Sequence, residues 1–249
     1  MPQLDLLFLT LLLTAARVSG FVAFLPLFGS RTLPKTVKIG LVVTLTVVWG
    51  FSQSIGSSSL GIPSHNPGWF TLAWLMAREL TLGACCGYVL SLILVPARIA
   101  GSYIAQEMGL TIATLTSSEG LGNQNVLSEI LEGLAILALL LTNIHHLFFL
   151  LFDRMLATFP IGRAWPFPRS DWLVMQLTSL PADGVSMALP IVVVLGCTTI
   201  GLLFAMRQTP QFNLFTFGMP VRLVAGLIAL FLFIPDLIYF FVNSIRHVM

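Results

Sequence analysis

The chain has 249 residues, of which 57% are hydrophobic and only 9% charged. Twelve basic and ten acidic residues cannot coat a soluble domain of this size, and a formal charge of +2 with no basic stripe or tail offers nothing to nucleic acid. A mean hydropathy of +0.95 puts most of the chain in lipid, or in an assembly that replaces lipid, and predicts an all-α membrane-class fold.

Six apolar segments follow one another: Leu4–Phe28, Val37–Phe51, Trp69–Val95, Val126–Phe152, Val185–Met206 and Val221–Val242. The first carries Asp5 and Arg17 and lacks a basic leader, so it is expected to be retained rather than cleaved. The second is short: at 1.5 Å per residue it covers about 22 Å of a bilayer core about 30 Å thick. Four or five of the others suffice to span. Gly83 and Gly87 form a small-xxx-small pair, and Ala97 with Gly101 repeats the spacing, so these positions are expected to let helix backbones approach closely. Pro96, Pro190 and Pro235 lie within or beside apolar runs and predict bends.

Arg17, Arg78, Glu79, Glu129, Glu132, Asp153 and Arg154 lie in or near apolar segments, where ionisable groups are costly and therefore candidates for function. Each has a plainer reading. Arg78–Glu79 and Asp153–Arg154 can neutralise one another near helix ends, and Glu129 and Glu132 fall in the first turns of a helix, where its dipole favours carboxylates. Arg17, mid-segment, is expected to face a partner helix or reach an interface. His145 and His146 are adjacent and are expected on different helical faces, and no HExxH or Cys/His ligand spacing accompanies them. Cys85, Cys86 and Cys197 are read as packing residues. No nucleophile elbow, phosphate loop or dinucleotide fingerprint is present, so the sequence offers no catalytic residue, no metal site and no cofactor.

Between the third and fourth segments, residues 111–125 read TIATLTSSEGLGNQN, with the single charge Glu119. A stretch of this length and composition is either a surface loop or a movable lid over a pore.

The run from Gly201 to Arg222, GLLFAMRQTPQFNLFTFGMPVR, resembles the signature of the FliR family, called SctT in its injectisome version. The matching positions are Arg207, Pro210, Gln211, Asn213, Gly218, Pro220 and Arg222. Arg17 with Pro26, the basic connection around Pro34-Lys35, Glu79 with Gly83, Ala100-Gly101, Gln106, Met108-Gly109-Leu110 and Phe159-Pro160-Ile161-Gly162 extend the resemblance over nearly the whole chain. The family's central Asp-Pro-Gly turn is replaced here by Ser117-Ser118-Glu119-Gly120.

This resemblance implies bent helical hairpins, with residues 1–171 as a FliP-like part and 172–249 as a FliQ-like hairpin. It implies a non-enzymatic export-gate subunit in the inner membrane of a bacterium, within the flagellar basal body. Its partners would be FliP-like and FliQ-like subunits and an FlhB-like gate protein, and its cargo unfolded polypeptide. Residues 111–124 would then plug the pore, through Thr111, Thr114, Thr116, Ser117, Ser118, Glu119, Gly120, Gly122, Asn123 and Gln124. Arg207–Asn213 would turn the terminal hairpin, with Pro210 and Pro220 fixing it. The injectisome version and a small-molecule or ion transporter are the alternatives. A transporter calls for a broken-helix site and repeats, which the sequence does not display.

Overall fold

The computed structural model describes residues 2–25, 34–56, 68–110, 126–162, 171–208 and 217–248, and of these the side chains of 7–25, 34–51, 68–110, 126–162, 177–208 and 217–245. The described residues contain helices and turns and no strand. In chain order the helices are α1 (Pro2–Phe24), α2 (Lys35–Gly56), α3 (Trp69–Ser91), a 3-10 turn (Leu92–Leu94), α4 (Val95–Glu107), α5 (Val126–Leu141), α6 (His145–Thr158), α7 (Asp171–Gln208) and α8 (Met219–Val248).

Leu7–Phe24, Trp69–Glu107, Leu177–Gln208 and Met219–Ile245 are long and apolar enough to cross a membrane, and the pair α5 and α6 adds a fifth if taken as one span. This bears out an all-α membrane-class fold. Helix α2 has 22 residues, about 33 Å, and so is longer than the segment read from its apolar core, although it is not among the span-capable helices.

Two boundaries differ from the sequence expectation. The fourth apolar segment is two helices, because Asn143 takes φ 58° and its N–H bonds the Leu140 carbonyl at 3.2 Å, ending α5. Asn is one of the few residues that enters the left-handed region readily. Pro96 starts a helix rather than bending one. It sits in the first turn of α4 after the 3-10 turn, where its missing N–H has no intrahelical partner to lose. Pro181 and Pro190 lie inside α7 and Pro235 inside α8, and both helices continue through them.

The chain forms two compact units that do not follow sequence order: residues 1–92 with 144–169, and residues 93–143 with 170–249. In the first, α1 packs on α3 and α2. Its core is aromatic: the Phe152 ring lies 4.3 Å from Phe21 and 4.5 Å from Trp49. In the second, α4 packs against α5 and α7, and α7 against α8.

Candidate functional site

In the first unit, α1 and α3 meet backbone to backbone. A Cβ placed on Gly83 would collide with the Arg17 carbonyl oxygen, and one on Gly20 with the Leu80 carbonyl oxygen. At Gly87 it would come within 2.5 Å of the Phe21 oxygen. Without side chains at these crossings the two helices approach closely enough for Arg17 to reach Glu79, one turn before Gly83.

Both residues are buried, Arg17 1% and Glu79 0% exposed. The Arg17 Nε donates to Glu79 Oε2 at 2.7 Å, and Nη2 pairs with the same oxygen. Arg17 Nη1 donates to the Phe159 carbonyl at 2.7 Å, while Glu79 Oε1 accepts from the Gly162 N–H at 3.2 Å and from Arg78 Nη2 at 3.1 Å. The pair therefore binds both a carbonyl and an N–H of the turn that ends α6, where Gly162 takes φ 86° and Ile161 is wholly buried. A buried pair in which the spare lone pairs and protons are satisfied is the arrangement that offsets desolvation. It leaves no acid or base free for chemistry. Arg17 faces a partner within its own chain, and Glu79 answers chiefly Arg17 rather than its neighbour Arg78.

In the second unit, a Cβ on Gly101 would lie 2.5 Å from the Ser128 Cα, and one on Gly184 2.7 Å from Ile99, so α4 sits tightly between α5 and α7. Arg98 of α4 forks onto Glu132 of α5, Nε to Oε2 at 2.6 Å and Nη2 to Oε1 at 2.5 Å. Glu132 is therefore an ion-pair partner, not a dipole-capping carboxylate. Glu129 is exposed in the first turn of α5, where the dipole reading still applies.

The end of α4 is held by the start of α8. Met108 is 2% exposed, and its side chain fills the space where a Cβ on Gly226 would stand, 2.6 Å from Cγ. Gly109, at φ 81°, lies under Met219, and a Cβ placed on it would stand 3.7 Å from the methionine Cε. The Met108-Gly109-Leu110 run and the Gly218–Arg222 end of the sequence signature thus come together.

The remaining predicted positions fall as follows. Thr111, Thr114, Thr116, Ser117, Ser118, Glu119, Gly120, Gly122, Asn123 and Gln124 lie outside the described residues, as do Pro210, Gln211 and Asn213. Arg207 occupies the last turn of α7, where the helix dipole favours a cation. Gly218 is buried beside the first turn of α8, Pro220 is in that turn, and Arg222 follows with its Nε buried and without a hydrogen-bond partner among the described residues. Pro220 and Arg222 thus lie in the opening turn of α8.

The His145 and His146 rings lie tilted against each other with centroids 4.3 Å apart, and His145 Nδ1 is buried with no hydrogen-bond partner among the described residues. No group of three metal-ligating side chains converges among the described residues. Cys85 and Cys197 are exposed and Cys86 is half-buried. Sequence reasoning missed Gly20, Arg98, Gly184 and Gly226. Ala16-xxx-Gly20 carried the same small-residue spacing as Gly83 and Gly87, and was the available signal for the first.

A family model for bacterial export proteins, family 1, matches residues 8–248. The chain belongs to this family. Among proteins similar to it is the flagellar biosynthetic protein FliR of Escherichia coli (strain K12), 28% identical over 85% of this chain and 78% of the relative. FliR of Bacillus subtilis (strain 168) is also 28% identical, over 90% of this chain and 85% of the relative, and that of Pectobacterium carotovorum 28% over 88% and 82%. The FliR-family membership expected from the sequence is borne out. For an export protein of this family, the close helix crossings and the buried pair are framework. The wide apolar surfaces are what remains to be matched by lipid or other chains.

Proposed function

We propose that the chain is a non-enzymatic subunit of the flagellar type III protein-export gate, in the inner membrane of a bacterium and within the flagellar basal body. In this reading it joins FliP-like and FliQ-like subunits, with an FlhB-like gate protein alongside, around a pore for unfolded export substrates. Residues 1–171 act as the FliP-like part, 172–249 as the FliQ-like hairpin, and the segment at 111–124 as the plug.

The observation that carries the reading is the family match over residues 8–248, with relatives that all bear the name of a flagellar biosynthetic protein. Physical support comes from the helices. Only 22% of the Leu177–Gln208 window and 17% of the Met219–Ile245 window are buried within the chain, as expected of helices that complete their packing elsewhere. The segment at 111–124 has the small, polar, nearly uncharged composition that a displaceable seal requires. It also starts directly after Met108 and Gly109, which α8 holds in place.

Deleting Ser117–Gly122 tests the plug. The expected result is normal assembly with a membrane that leaks small ions, read as dye or ion influx in cells carrying the variant. Unchanged permeability with the subunit assembled rejects the plug role.

A further inference from the structure

We propose that the outer face of α8 seats an apolar helix of a partner subunit that carries a cationic side chain, and that this cation pairs with Asp236. The inference rests on the reading of the chain as one subunit of a membrane complex.

Helix α8 carries basic residues near each end, Arg222 and Arg246, and one acid, Asp236, between them. The span-capable part is Met219–Ile245. Asp236 stands 17 residues from its start and 9 from its end, about 25 Å and 14 Å along the axis. An aspartate is too short to reach from there to the edge of a bilayer core about 30 Å thick. Its side chain is exposed, and it has no hydrogen bond or ion pair with any described residue.

The surroundings are apolar and equally uncovered. Phe231 is 76%, Leu232 65% and Tyr239 73% exposed. At 100° per residue, Ile228, Leu232, Asp236, Tyr239 and Asn243 fall within about 80° of arc and form one seam with the four- and three-residue spacing of helix packing. The opposite face, with Leu237 and Phe241, is buried against the chain's own helices.

Three occupants compete for the seam. Lipid tails leave a carboxylate unpaired at mid-depth, where ionisable groups are tolerated only when they face protein or water. A second copy packed through the same seam sets Asp236 against Asp236, and like charges in a low dielectric repel. A partner helix with a lysine or arginine at the matching depth satisfies the charge and covers the apolar residues together. Tyr239 and Asn243 add a hydroxyl and an amide on the same side for the cation's remaining donors.

The test uses the full chain expressed from its own locus in its native host, with D236N, D236L and D236K compared by native electrophoresis of mild-detergent extracts. D236L and D236K are expected to lower the fraction of chain in the complex about tenfold, because removing one partner strands a buried cation, and D236N less. Total chain in the membrane should stay level, and if D236K does not accumulate, the level D236N chain carries the test. Suppressors that restore assembly to D236K are expected to replace a lysine or arginine in an apolar helix of another subunit. Undiminished complex with D236L, or suppressors confined to this chain, overturns the proposal while leaving the export-gate reading intact. A wild-type chain that runs free of any complex removes that reading and this inference together.

Discussion

The two units each contain an arginine–glutamate pair joining two helices, and the pairs differ in almost every respect that sets their value. Arg17–Glu79 is sealed from solvent, shares its spare atoms with a backbone turn, and lies where glycines bring two helix backbones into contact. Arg98–Glu132 has the better fork geometry, yet Arg98 is 54% and Glu132 22% exposed. Geometry alone ranks the second pair first. Burial reverses the order, because an exposed pair loses little when broken, whereas a sealed one leaves a stranded charge.

The largest expected effect follows from breaking the sealed pair. Glu79→Leu or Arg17→Met alone should cost about 3–5 kcal/mol, seen as loss of chain from the membrane or a lower melting temperature of the extracted protein. The R17M/E79L double variant should recover much of that loss, since a neutral, apolar pair strands nothing. A double variant as unstable as either single one would mean that the hydrogen bonds to Phe159 and Gly162, not the charges, hold the site. Gly83→Ala comes next. Its methyl would strike the Arg17 carbonyl, so α1 and α3 must move apart at a cost of about 1–3 kcal/mol. The same thermal measurement on Gly133→Ala, where nothing lies within 4 Å, supplies the clash-free control, expected to be stabilising by about 0.5–1 kcal/mol through helix propensity alone. The smallest effect is that of Glu132→Gln, about 0.2–1 kcal/mol and shrinking as salt is raised. A loss comparable to that of Glu79→Leu would show that the Arg98 pair is covered by another chain in the assembly.

The helical class, the span-capable segments and the family were legible because they rest on composition, run length and a spaced signature around Arg207–Arg222. The close crossings were partly legible: Gly83, Gly87 and Gly101 announced themselves by spacing, whereas Gly20, spaced only from Ala16, a weaker small residue, was missed. The ion pairs were not legible. Arg17 and Glu79 each stood out as costly, but nothing in one sequence says which two of several charges in apolar segments meet, and Arg98, just beyond the third apolar segment, was not singled out. The break at Asn143 was hidden in an apolar run whose single left-handed residue carries no periodic signal. The Met108 contact with Gly226 joins positions more than a hundred residues apart and depends on tertiary packing alone.

In the proposed gate the apolar helices finish their packing against other subunits. The most direct test is gentle detergent extraction of the wild-type chain from its native membrane, followed by sizing and identification of what travels with it. The account predicts one large complex that contains FliP-like and FliQ-like proteins and a chain that is unstable when purified alone. A stable, monodisperse monomer would contradict it.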